Sequence, residues 1–177
     1  MAMRIRRATV ADIPLLRQLA ERIWRECYPA IISVEQIEFM LGWMYSEAQL
    51  AGEIERGIAW EILELEAQPI GFLSYQLEDD RRVKLNKLYV LPEQQGRGYG
   101  RAALAHVMQR AVELRASAVW MQVNKRNFGA VAAYQKAGFH IAREAVFDIG
   151  HGFVMDDYLM EKAVPAREEM GCQPVVR

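Results

Sequence analysis

Cysteine is scarce in this chain of 177 residues: only Cys27 and Cys172 occur, far apart and outside any C-x-x-C spacing. That excludes a disulfide framework and fits a reducing compartment. Histidine is scarce too. His106, His140 and His151 stand at no ligand spacing, so no metal is expected. Neither sign of charge is in excess: 22 basic against 23 acidic side chains leave a net charge of −1. Without a global basic field, nothing draws the chain to nucleic acid or to an anionic membrane surface, and neither is an expected partner. Also missing is an apolar run of about 20 residues, the length a membrane span needs. The opening Met-Ala-Met-Arg-Ile-Arg-Arg leads into polar, helix-like sequence instead of the apolar core of a signal peptide. Cytoplasm is the expected location.

What is present suits a globular fold. A content of 52% apolar and 25% charged residues is enough for a full core in one domain. Arg4 to Ala8 reads as a strand, followed by a helix capped by Asp12 with Pro14 in its first turn. Further helices are expected from Val34 to Tyr45, capped by Ser33, and from Ser46 to a stop at Gly57. From Ile58 the apolar period becomes strand-like, with a turn at Ala67-Gln68-Pro69 and strands Ile70 to Leu77 and Val83 to Val90. A long amphipathic helix to about Arg115, a strand from Val119 to Val123 and a helix from Asn127 to Ala137 come next. Strands Phe139 to Ile149 and Phe153 to Glu161 close the pattern. The order predicts an α+β fold. Residues 1–163 read as one domain, and 164–177, aperiodic with two prolines, as a tail.

The densest local signal is Leu88-Tyr-Val-Leu-Pro-Glu-Gln-Gln-Gly-Arg-Gly-Tyr-Gly-Arg101. A β-branched and aromatic run stops at a proline and gives way to three alternating glycines at the mouth of a helix. Gly96, Gly98 and Gly100 leave no side chains in the way and tolerate unusual backbone angles, so successive N–H groups can turn towards one anion. The helix start adds unpaired donors and the positive end of its dipole. Two familiar nucleotide loops are excluded by spacing. The G-x-G-x-x-G fingerprint finds Arg101 or Ala103 where its last glycine belongs, and no Gly-Lys-Ser/Thr follows for a Walker loop.

Gln95, Gly98 and Gly100 fit Gln-x-x-Gly-x-Gly, which resembles the acetyl-CoA motif of the GNAT superfamily of N-acetyltransferases. A second block, Asn124-Lys-Arg-Asn127-Phe-Gly-Ala130-Val-Ala-Ala-Tyr134-Gln-Lys136-Ala-Gly-Phe139, resembles the motif that follows it in that family. Both occur in the right order, separated by a helix and a strand. The resemblance covers nearly all of residues 4–162. It implies a mixed, mostly antiparallel central sheet of six to seven strands flanked by helices, with acetyl-CoA as co-substrate.

That resemblance also implies roles. The backbone from Gln95 through Gly96, Arg97, Gly98, Tyr99 and Gly100 to Arg101 would hold the pyrophosphate, the two arginines adding charge. The strand edge at Leu88, Tyr89 and Val90 would pair with the amides of the pantetheine arm. Asn127 would contact the cofactor as well as cap its helix, and Lys136 would meet the 3′-phosphate. Tyr134 would donate a proton to the departing thiolate. The acceptor is a small-molecule or peptide amine, and a homodimer is expected by the same analogy.

A base is harder to identify. A primary alkylamine with pKa near ~10.4 is neutral only about once in 2,500 molecules at neutral pH, whereas an α-amino group near ~7.8 is neutral roughly once in seven. Candidate carboxylates are Glu26, Glu78, Asp148, Asp156 and Asp157. Strand alternation sends Asp156 and Asp157 to opposite faces, and Asp156 is taken as the site residue. The closing segment Asp148 to Met160 is similar to the end of PaiA-type polyamine acetyltransferases, which implies a polycationic acceptor. Trp24, Glu26 and Tyr28 would line its entrance. A peptide acetyltransferase and a catalytically silent acetyl-CoA-binding regulator remain open as alternatives.

Overall fold

The computed structural model describes residues 3–165, so Cys172 and nearly all of the expected tail lie outside the described residues. Seven strands pair into one sheet: β1 (Arg4–Arg7), β2 (Ala59–Leu65), β3 (Gln68–Leu77), β4 (Arg82–Val90), β5 (Ala118–Asn124), β6 (His140–Gly150) and β7 (Phe153–Ala163). Their spatial order is β1-β2-β3-β4-β5-β7-β6. All neighbours are antiparallel except β4 and β5. The β2–β3 hairpin turns on Glu66 and Ala67, both at positive φ (51° and 63°), as a tight two-residue turn requires. The turn therefore comes earlier than the prolyl segment suggested. Pro69 sits inside β3 beside a register shift between Leu63 and Glu64, an irregularity that accommodates its missing N–H.

Helices α1 (Ile13–Cys27), α2 (Val34–Met44) and α3 (Glu47–Glu55) cover one face of the sheet, and α4 (Tyr99–Glu113) and α5 (Phe128–Lys136) the other. The hydroxyls of Ser33 and Ser46 accept the Gln36 and Gln49 N–H groups at 3.1 and 3.2 Å, satisfying donors that α2 and α3 leave open. Asp12 does not cap α1 as expected. Its carboxylate turns back to accept the Thr9 N–H at 2.9 Å and pairs with Arg6 at 2.8 Å, and the guanidinium holds it below the usual carboxylate range.

Under α1 to α3 the core gathers Leu16, Ile23, Trp24, Met40, Trp60 and Phe72. Under α4 and α5 it gathers Val83, Val107, Val119, Met121 and Met160. Each face of the sheet thus carries its own apolar core. No helix among the described residues is long and apolar enough to cross a membrane.

Two features of β4 position the site. Its parallel pairing with β5 covers only Arg82↔Ala118, Val83↔Val119 and Lys84↔Trp120. Beyond these, β4 continues to Val90 with β3 while β5 continues to Asn124 with β7. The sheet splits into a V, and one edge of β4 loses its strand partner. On the other edge the register shifts between Ser74 and Tyr75, which face Lys87 and Leu85 and leave Asn86 as the extra residue. Such a bulge re-aims the side chains around it. Gly71 allows β3 to approach the end of β4: a Cβ there would stand 2.2 Å from the Tyr89 carbonyl oxygen.

Candidate active site

At the wide end of the V, β4 runs into a short turn (Pro92–Gln94) and then into α4. The Gln95 side chain donates to the Val90 carbonyl at 2.9 Å, and its own N–H is taken by Pro92 at 3.1 Å. Gln95 therefore ties the loop to the strand, and the available N–H groups begin after it. Gly96 and Gly98 take the left-handed conformation, with φ of 74° and 87°, which a side chain would resist. Gly100 differs from the expectation of an unusual backbone, because it lies within the first turn of α4. Its contribution is space: no atom lies within 4 Å of where its Cβ would stand. The first-turn N–H groups of Tyr99, Gly100 and Arg101 have no helical acceptor. Arg97 and Arg101 are exposed beside them. Residues brought together by sequence adjacency thus present open N–H groups and two exposed guanidinium groups next to the unpaired edge of Leu88, Tyr89 and Val90.

Across the gap, α5 begins at Asn127, whose Oδ1 accepts the Ala130 N–H at 3.2 Å. Asn127 is a helix cap in this arrangement, and Lys136 is exposed in the last turn of the same helix. Tyr134 stands two turns on from the cap, with its ring edge against Phe139 at 6.0 Å. Burial, reinforced by the nearby Tyr28, raises its phenol well above the usual range. At neutral pH it therefore carries its proton, the state a proton donor needs.

On the α1 to α3 face, the V opens into a cleft of about 410 Å³ lined by Trp24, Tyr28, Glu53, Lys84, Lys87, Tyr89 and Asp157 among others. Tyr28 stacks on Trp24 with ring centroids 4.3 Å apart, and its hydroxyl lies 3.5 Å from that of Tyr89. Trp24 and Tyr28 both line the cleft. Glu26 does not: it is exposed and paired with Arg22 at 3.1 Å. The two aspartates of β7 do part to opposite faces, but the cleft receives Asp157. Asp156 is exposed and bound to Lys125 at 2.6 Å. Asp157 is 1% exposed, and neither of its carboxylate oxygens has a hydrogen-bond partner in the structure. Burial, with the charge of Asp156, pushes it up to about 6 against the opposing pull of Lys125.

Lys87 was absent from the sequence reading, although it stands where the alternation of Val83, Leu85 and Tyr89 leads one to expect an apolar residue. Burial pushes its ammonium down to about 8. Glu53, also unforeseen, accepts Gln49 at 2.8 Å through one oxygen and the Trp60 indole at 2.9 Å through the other. Among the described residues no group of three or more His, Cys, Asp or Glu could hold a metal ion.

Comparison with known proteins gives a consistent picture. The model of the acetyltransferase (GNAT) family matches residues 16–139. An uncharacterized N-acetyltransferase of Mycobacterium tuberculosis is 36% identical over 91 residues, covering 51% of this chain and 58% of that relative. The matched segment thus spans under two thirds of the relative's length. A spermidine N(1)-acetyltransferase of Thermoplasma acidophilum is 26% identical over 146 residues, covering 80% of this chain and 90% of its own. Among solved structures, the PaiA N-acetyltransferase of the same organism, in complex with coenzyme A, superposes with a TM-score of 0.77 at 25% identity, over 92% of this chain and 99% of that one. The ribosomal-protein-alanine N-acetyltransferase of Brucella melitensis shares the fold, with a TM-score of 0.66 at 23% identity, over 90% and 99% of the two chains.

Proposed function

This chain belongs to the acetyltransferase (GNAT) family, and on that premise we propose that it transfers the acetyl group of acetyl-CoA directly to a small amine bound in the cleft. The observation that carries the reading is the V between β4 and β5. It sets a free strand edge and an anion-receptive loop on one side of the sheet against an unpartnered buried carboxylate, Asp157, on the other. Acetyl-CoA supplies the activated acyl group. The residues present fit it: the edge of Leu88 to Val90 would bond the pantetheine amides, and the N–H groups from Gly96 to Arg101, with Arg97 and Arg101, would hold the pyrophosphate. Asn127 and Lys136 would flank the same ligand, with Lys136 suited to its 3′-phosphate.

Asp157 would take a proton from the incoming ammonium, since a carboxyl poised near 6 is ionised at neutral pH yet still basic enough to accept it. The freed amine would attack the thioester carbonyl, Tyr134 would donate its proton to the departing sulfur, and the proton that the nitrogen sheds on becoming an amide would, through water, restore the phenol. Trp24 and Tyr28 would form an aromatic wall for the amine. The likeness to a spermidine acetyltransferase supports a polyamine as one candidate acceptor. The free Cys27 thiol suits a cytoplasmic setting. The direct test follows CoA release from acetyl-CoA with polyamines, simple amines, amino acids and peptides as acceptors. Turnover that depends on an added amine supports the proposal. Cofactor binding with no turnover on any acceptor would overturn it.

A further inference from the structure

The cleft holds a buried carboxylate and a half-buried ammonium that do not satisfy each other. Asp157 leaves both carboxylate oxygens without a partner. The cation nearest to it in effect, Lys125, is engaged by Asp156 and Glu144 at 2.6 and 2.8 Å. Lys87 is the counterpart. Its ammonium lies 5.9 Å over the Tyr45 ring and makes no ion pair among the described residues. Glu53 acts on it only at a distance, without an ion pair, and its oxygens accept hydrogen bonds from Gln49 and from Trp60. Lys84, two strand positions before the bulge, also lines the cleft, its ammonium 4.8 Å from the Trp120 ring and its charge felt at Lys87.

Leaving an ammonium and a carboxylate desolvated and apart is costly unless a ligand brings the missing partners. Resting on the acetyl-transfer reading above, we infer that the acceptor is an amine carrying its own anionic group, with the amine placed at Asp157 and a carboxylate or phosphate placed at Lys87 and Lys84. A polyamine would satisfy Asp157 with one nitrogen but set another ammonium against the two lysines, a like-charge contact inside a partly desolvated cleft. The lowered proton affinity of Lys87 agrees with a cation awaiting its partner. No new chemical step is needed. The anion is a handle that orients the amine, and the reaction still releases one CoA thiol and one amide.

The test uses the full chain at saturating acetyl-CoA, with acceptors paired by length: aminopentanoate against diaminopentane, phosphoethanolamine against ethanolamine, and spermidine alongside. The anion-bearing member of at least one pair should exceed its partner in kcat/KM by about tenfold or more. The carboxylate and phosphate pairs tell which anion is preferred. Lys87→Gln should shrink that ratio by about tenfold, while Lys87→Arg should keep most of it. Preference for diaminopentane or spermidine, or a ratio unmoved by Lys87→Gln, would overturn the inference while leaving acetyl transfer intact. Absence of CoA release with every acceptor would overturn both.

Discussion

The donor side and the acceptor side of the cleft are built on opposite principles. From Leu88 to Arg101 the proposed donor surface is continuous in the chain and presents mostly backbone: an unpaired strand edge, two left-handed glycines and open N–H groups at a helix start. The acceptor side is assembled from side chains of α1, α3, β4 and β7, with Trp24, Glu53, Lys87 and Asp157 meeting from distant parts of the sequence. Backbone groups are carried by every residue, so the proposed donor surface depends little on which side chains occupy it, whereas the proposed acceptor side depends on particular charged side chains. The difference predicts that mutations on the two sides separate cleanly into donor and acceptor effects.

The largest expected effect lies where the two sides meet. Tyr134→Phe should lower turnover by about 10²- to 10⁴-fold, the usual range for loss of a positioned acid, with acetyl-CoA affinity nearly unchanged by titration calorimetry. Unchanged turnover would remove Tyr134 as the proton donor.

Next is Asp157→Asn. Catalytic efficiency with amines should fall by about 10- to 100-fold, and the rise in kcat/KM as pH increases through about 6 should vanish from the pH profile. Stability should respond in the opposite sense. Because the folded state raises the proton affinity of Asp157, it holds that proton better than the unfolded chain does between the ordinary carboxylate range and about 6. The wild type thus loses stability as pH rises through that window. In the asparagine variant that loss is absent, so thermal melts at neutral pH should place it level with or above the wild type, by up to about 1–3 kcal/mol. A strongly destabilised variant with intact turnover would reverse the assignment of Asp157.

Gly71→Ala breaks the separation deliberately. Its Cβ would force the Tyr89 carbonyl aside, at about 1–3 kcal/mol of stability. It should raise both the acetyl-CoA dissociation constant and the acceptor KM, since Tyr89 offers its backbone to one side and its ring to the other. A change confined to one constant would mean that the two sides are mechanically independent. The smallest effect is Gly98→Ala. Straining a residue at φ 87° costs about 1 kcal/mol, which should weaken acetyl-CoA binding by up to about tenfold in equilibrium titration and leave the preference among amines untouched.

Features with a short sequence range were legible in advance. Ser33 and Ser46 cap their helices from the preceding position, and the β2–β3–β4 meander follows the alternation of its apolar residues. The left-handed turns at Gly96 and Gly98 follow from residue type alone, because all the parts of the glycine loop are neighbours. Even there, local reading overshot twice: Gly100 is helical, and Asp12 serves Thr9 and Arg6 instead of α1. Both depend on competing partners a few residues away.

The acceptor side was less accessible for a definite reason. A period of two says that Asp156 and Asp157 face opposite ways, but not which face α1 to α3 will cover. Packing decided that, leaving Asp156 in solvent with Lys125 and Asp157 in the cleft. The bulge at Asn86 and the split between β4 and β5 are properties of pairing between strands, and no single strand encodes its partner's departure. Donor recognition therefore belongs to local sequence, where backbone geometry follows residue type. The charge pattern of the cleft belongs to the tertiary structure, because only folding brings Lys87 and Asp157 together there and buries the carboxylate.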